Sequence, residues 1–153
     1  MKAACLTASR LAISFWVGAA LIFVVTSIQE VSSDEINSEI RSILAAMRFP
    51  TYYLFGFFLV GFSFLTGSFL KNYDRIRKIR WWFYMGLLSI VLIVMVVDYI
   101  WIFRPLREMV ILTEQARPAK FRTYHELTKY INLFNLLLCL VAAGLINLPV
   151  KKS

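Results

Sequence analysis

Uncharged, mostly apolar runs alternate with short polar stretches along this chain. Leu11–Gln29 holds 19 residues without a charge, Phe49–Leu70 holds 22 and Tyr130–Val150 holds 21. Trp81–Phe103 adds 23 residues with one charge, Asp98. A helix rises about 1.5 Å per residue and a bilayer core is about 30 Å thick, so each run is long enough to cross it. The pattern predicts an all-α fold: a four-transmembrane-helix bundle in a single membrane domain over 1–153, with spans near 11–29, 49–70, 81–103 and 130–150. Loops of about 20, 10 and 26 residues join the spans.

The loops carry a pattern of their own. Ile36, Ile40, Ile43, Leu44 and Met47 follow helical spacing behind Ser33, a candidate N-cap. They predict a short interfacial helix ended by Pro50. In the third loop Leu106, Met109, Val110 and Thr113 repeat that spacing after Arg104-Pro105. This segment reads as a second interfacial helix or as an extension of the third span kinked at Pro105. Arg117-Pro118 breaks it, and Phe121–Lys129 leads helically into the fourth span. The N-terminus imitates a cleavable signal, with Lys2, Arg10 and the small residues Gly18-Ala19-Ala20. Its apolar run continues to Ile28, longer than a signal core, which favours a retained first helix.

Composition narrows the class. Hydrophobic residues make up 59% and charged residues 17%, against about 45–50% and about 25% in soluble domains. That excludes a water-soluble enzyme, a disulfide scaffold and a disordered chain. The net charge of +8 could suggest nucleic acid. The basic residues, however, sit at span edges: two before the first run, two in the first loop, five in the second, six in the third and two at the end. Such residues set topology and touch lipid headgroups, so membrane lipids are the expected contact and nucleic acid is not. An even number of spans puts both termini and the second loop on one side, with nine basic residues against eight. Density decides: five of the ten residues in Lys71–Arg80 are basic. The expected location is a bacterial inner membrane with both termini cytoplasmic. Cys5 and Cys139 belong to different depths and are expected to be free thiols.

Polar groups inside a span face the bundle interior. His125, Thr128, Asn132, Asn135 and Cys139 are spaced 3, 4, 3 and 4 apart, one stripe of a helix. Leu133, Leu136, Leu137 and Leu140 make the opposite face. Asp98 is the one charge inside a run, and a carboxylate at such depth costs about 2.5–3.5 kcal/mol on insertion scales unless it is partnered. Arg48, Arg104 and His125 are the expected partners near the outer end. Asp98, His125, Asn132, Asn135, Arg48, Arg104, Tyr52 and Tyr53 therefore form a candidate polar cluster, an outer cup rather than a track through the membrane. The inner half has little beyond Ser14, Ser63, Ser68 and Ser89. Trp16, Tyr73, Trp81, Trp82 and Tyr84 suit an inner aromatic belt, and Tyr52, Tyr53, Tyr99, Trp101 and Tyr130 an outer one. Ser14/Gly18, Ser63/Gly67 and Gly56/Ser63 are small-residue pairs that let helices approach closely. No metal site and no cofactor is implied: one histidine and scattered methionines do not assemble a ligand set.

Phe15-Trp16-Val17-Gly18, Arg48-Phe49-Pro50-Thr51-Tyr52-Tyr53, Arg104-Pro105-Leu106-Arg107 and Phe121-Arg122-Thr123-Tyr124-His125 occur in this order at span boundaries. With them the chain resembles the TMEM205-like (DUF4149) family of small four-helix membrane proteins, over roughly Leu11 to Leu148. Tyr124 stands where a leucine-like residue is expected. The resemblance implies shared positions at Trp16, Gly18, Phe49, Pro50, Tyr52, Tyr53, Pro105, Phe121 and His125, and an integral membrane protein with no established biochemical activity. An animal member is associated with resistance to platinum drugs. The expected function is a structural or accessory membrane component, not an enzyme, with a second copy or another membrane protein as partner. The alternative is a transporter or metal/drug resistance factor that uses the Asp98 and His125 cluster.

Overall fold

The computed structural model describes residues 1–73, 76–111 and 120–149. Every described element is helical: α1 (Lys2–Ser32), α2 (Ser38–Ser68), α3 (Lys78–Asp98), a π-helical turn (Tyr99–Phe103), α4 (Arg104–Ile111) and α5 (Lys120–Asn147). Four stretches are long and apolar enough to cross a membrane: Lys2–Ser32, Ile43–Ser68, Lys78–Met109 and Lys120–Asn147. All four expected spans are present, and each helix begins or ends beyond its uncharged run. Charged residues in the first or last turn reach headgroups while the backbone stays hydrogen-bonded, so loss of apolarity does not end the helix.

The bundle is a closed ring in which α1 packs on α2 and α5, and α3 packs on α2 and α5. Each helix buries one stripe. In α1 the stripe is Leu6, Ser9, Ile13, Trp16 and Ala20, and in α3 it is Trp81, Tyr84, Leu88, Val91, Met95 and Asp98. Steps of three and four residues keep these positions on one face. The outer faces carry Phe15, Ile22, Leu54, Phe58, Phe83, Ile93, Trp101 and Leu137, all exposed. So much apolar surface would be untenable in water and is the natural complement of lipid. The chain is an integral membrane protein.

Pro50 and Pro105, at the Asp98 end of the bundle, both lie within helix. Pro50 does not terminate an interfacial helix, because α2 runs through it from Ser38 to Ser68. Proline removes one backbone donor, a loss that long membrane helices tolerate when neighbouring groups compensate. The N-cap is Asn37, whose side chain accepts from Ile40 N at 2.9 Å, and not Ser33. Before Pro105 the third span winds into the π turn, where Arg104 N–H reaches back to Tyr99 O. The segment after Arg104 is therefore an extension of the third span. Arg117-Pro118 and Thr113 lie outside the described residues. Phe121–Lys129 is helical, as expected.

Candidate functional site

Asp98 ends α3 and is completely buried, at 0% exposure. Its carboxylate accepts from three side chains on two other helices. Tyr53 of α2 donates its hydroxyl to Oδ2. Thr128 of α5 donates Oγ1–H, lying 3.0 Å from Oδ1 and 3.2 Å from Oδ2. Asn132, one turn along α5, donates Nδ2–H to Oδ2 at 3.1 Å. The same amide nitrogen lies 2.9 Å from Thr128 O and 3.4 Å from the Tyr53 hydroxyl. The node thus ties α2, α3 and α5 at one level. A carboxylate in low dielectric needs such donors to offset its lost hydration.

Aromatic rings close the node on the α1/α2 side. Tyr53 packs on Tyr99 and Phe103 with ring centroids 5.2 and 5.1 Å apart, and Phe49 lies 5.6 Å from Phe103. The π turn contributes Tyr99 and Phe103 directly after the carboxylate. Tyr52 turns the other way, against Phe23 at 4.4 Å and Trp16 at 4.9 Å. It belongs to the same aromatic layer but not to the carboxylate's donors.

The expected cationic partners are placed elsewhere. Arg48 forms an ion pair with Glu30 at the end of α1 and lies over the Phe23 ring. It is five residues from Tyr53, roughly 140° around an α-helix, so it meets α1 when Tyr53 meets α3. Arg104 is exposed. His125 is exposed and stacks on Phe121 at 5.9 Å, one turn beyond Thr128. Among the described residues the salt bridges are Arg48–Glu30 and Lys129–Glu126, so no cation answers Asp98. Neutral donors do so instead. Asn135 is buried one turn deeper, and its Oδ1 meets no hydrogen-bond partner among the described residues. Leu136 is buried and belongs to the core; Leu133, Leu137 and Leu140 do face outward.

A second polar node occupies the other end of the bundle, where only isolated serines were expected. Ser9 Oγ donates to Ser63 O and Ser63 Oγ donates to Ser9 O, each at 2.9 Å. The Tyr84 hydroxyl lies 2.6 Å from Ser63 Oγ, and Ser9 Oγ lies 2.8 Å from Thr66 Oγ1. Trp81 Nε1–H donates to Gly67 O at 2.9 Å. Tyr53, Tyr84, Trp16 and Trp81 are therefore core residues, not belt residues: all four are buried, and the polar tips of Tyr53, Tyr84 and Trp81 have interior partners. Trp82, Trp101 and Tyr130 are exposed and fit the belt. Cys5 and Cys139 are free thiols.

Glycines explain the close approach. A Cβ at Gly56 would lie 2.6 Å from both Met95 and Trp16 side-chain atoms, and one at Gly67 would lie 3.0 Å from Tyr84. Gly18 has open space around it, whereas Ser14 accepts from Asn147 Nδ2–H of α5 at 3.2 Å, so of the Ser14/Gly18 pair only the serine meets another helix here. Of the other motif positions, Phe49, Pro50, Pro105 and Phe121 are half-buried.

No protein-family model, curated protein or solved structure matches the chain.

Proposed function

We propose that this protein is a non-catalytic structural or accessory component of a bacterial inner membrane, of the TMEM205-like (DUF4149) kind. Both termini face the cytoplasm, on the side of the basic second loop. Its outer surface is bathed in lipid, and it works with a second copy or another membrane protein. One observation carries the reading: Asp98, the deepest charge, is wholly buried and answered by Tyr53, Thr128 and Asn132. A carboxylate that binds and releases a transported ion needs a solvent path and spare ligand capacity. One spent on three interhelical donors holds helices together. The separation of His125 and Arg104 from that node favours this reading over a transporter or resistance factor.

Asp98→Asn tests it. With its oxygen at the Oδ2 position the amide still accepts from Tyr53 and Asn132, but its NH2 then takes the Oδ1 position, where the Thr128 hydroxyl loses its acceptor. The structural reading expects lower resistance to unfolding in mild detergent for Asp98→Asn and parental resistance for His125→Ala. Uptake of a cation or drug into proteoliposomes that both substitutions abolish, with stability unchanged, sinks the proposal.

A further inference from the structure

By sequence, the segments that flank the spans on the side away from Asp98 are unusually basic. Residues 1–10, 71–80 and 148–153 hold nine basic side chains and one acidic one, Asp74. Residues 30–48 and 104–129 hold eight basic and seven acidic. Counted by basic residues alone the two sets of segments are nearly equal; counted by net charge they carry +8 and +1.

Within that end two arginines are built into the fold. Arg10 of α1 donates from Nε to Ile146 O at 2.9 Å and from Nη2 to Leu148 O at 3.2 Å. Arg80 of α3 donates from Nη1 to the same Leu148 O at 3.4 Å and to Pro149 O at 3.2 Å. Sharing an acceptor brings two like charges together at the C-terminus of α5, whose free carbonyls favour cations. The arrangement uses only part of Arg80. Its Nε and Nη2 meet no acceptor among the described residues and are covered in this conformation, so the half-buried side chain presents them to a ligand by turning outward. These two nitrogens are adjacent and form the side edge of the guanidinium, the fork that takes two oxygens of one oxyanion. Arg41 and Arg48 also leave Nε unpaired, but each commits its Nη2, to Ser33 O and to Glu30. Of the three described arginines with buried unpaired nitrogens, Arg80 alone keeps both members of the fork.

We propose that the Arg10–Arg80 pair is a phosphate-binding site at the membrane surface, with the Arg80 Nε/Nη2 edge as its bidentate arm and Arg10 as a second positive charge. The site lies at the start of α3 beside Trp81 and Trp82, a level suited to lipid headgroups. An excess of positive charge with one carboxylate selects a phosphodiester without its own cation, such as phosphatidylglycerol, over phosphatidylcholine. The same fork would take inorganic phosphate.

The full chain, purified in mild detergent, is titrated with phosphatidylglycerol and with phosphatidylcholine, and bound lipid is read by native mass spectrometry. A basic side chain at the membrane surface contributes about fivefold in affinity. The parent is expected to prefer phosphatidylglycerol by at least about that factor. Arg80→Lys keeps the charge and loses the fork, and is expected to bind more weakly than the parent; Arg80→Gln loses the charge as well and is expected to lose at least about fivefold of this binding. Lys129→Gln, at the other end, binds as the parent does. The source is separated by a thermal shift of the parent in inorganic phosphate against chloride at equal ionic strength. A shift with phosphate and none with phosphatidylglycerol assigns the fork to a soluble phosphate. Equal binding of both lipids by the parent with no phosphate shift overturns the site, without needing any variant to fold. Arg80→Lys that folds and binds either probe like the parent overturns it as well.

Discussion

Asp98 accepts from a phenol, a hydroxyl and an amide, and each donor comes from a helix other than its own. Hydrogen bonds between membrane helices average about 0.6 kcal/mol, and bonds to charged groups contribute about 1.5–3 kcal/mol. Full burial of the acceptor puts Tyr53 in the upper range. Tyr53→Phe is expected to destabilise the bundle by about 1.5 kcal/mol, measured by denaturant titration in detergent. Asp98→Ala strands three donors at once and should cost about 3 kcal/mol or more. Sequence spacing placed Thr128 and Asn132 on the stripe that meets Asp98, and Tyr53 at the same end. It could not rank neutral donors against Arg48, Arg104 and His125. Coulomb attraction favoured the cations, but helical phase turned Arg48 toward Glu30 and the ring of Phe121 took His125.

At the scale of the helix, small residues separate into two kinds. Gly56 lies where α1, α2 and α3 converge, and a methyl group there would overlap Trp16 and Met95. Gly56→Ala should cost about 1–3 kcal/mol through overpacking. Gly18 has no neighbour within 4 Å of an added Cβ, so Gly18→Ala should be neutral or stabilise by about 0.4–1 kcal/mol. Unfolding midpoints of the two variants in the same detergent check this contrast; a loss at Gly18 as large as at Gly56 contradicts the packing. Both glycines have similar sequence surroundings, because a small residue marks only an opportunity for contact. The hydroxyl node at the end opposite Asp98 was missed for a related reason. Ser9, Ser63, Thr66 and Tyr84 are scattered over three helices, and only the packing of α2 against both α1 and α3 assembles them. The signal available was Ser63, small and polar between Gly56 and Gly67.

For the molecule as a whole, orientation decides what either end can meet. Cytoplasmic termini require Asn72 and Ser33 on opposite sides of the membrane, since the second loop shares a side with the termini. In a Cys5→Ser background, Asn72→Cys should react with an impermeant maleimide only after the cells are opened, and Ser33→Cys should react in intact cells. The reverse pattern inverts the topology and puts the Arg10–Arg80 pair on the outer surface. The basic end is joined across the bundle by Lys2 Nζ–H donating to Asn72 O at 2.7 Å and by both arginines donating to the end of α5. Charge at that end is therefore part of the architecture as well as of the topology signal.

Hydrophobic length alone determined the four spans, the all-helical class and the up-and-down order, because a chain in lipid must satisfy its backbone locally wherever a run is long enough. The presence of a deep carboxylate and of a facing polar stripe was also legible, since both depend on spacing within one helix. Which groups meet was decided only by the tertiary structure. Partner choice depends on the rotation of each helix about its axis, and that rotation is set jointly by glycine contacts, the π turn after Asp98 and the aromatic layer around Tyr53. These are relations between helices, and no single run of the sequence contains them.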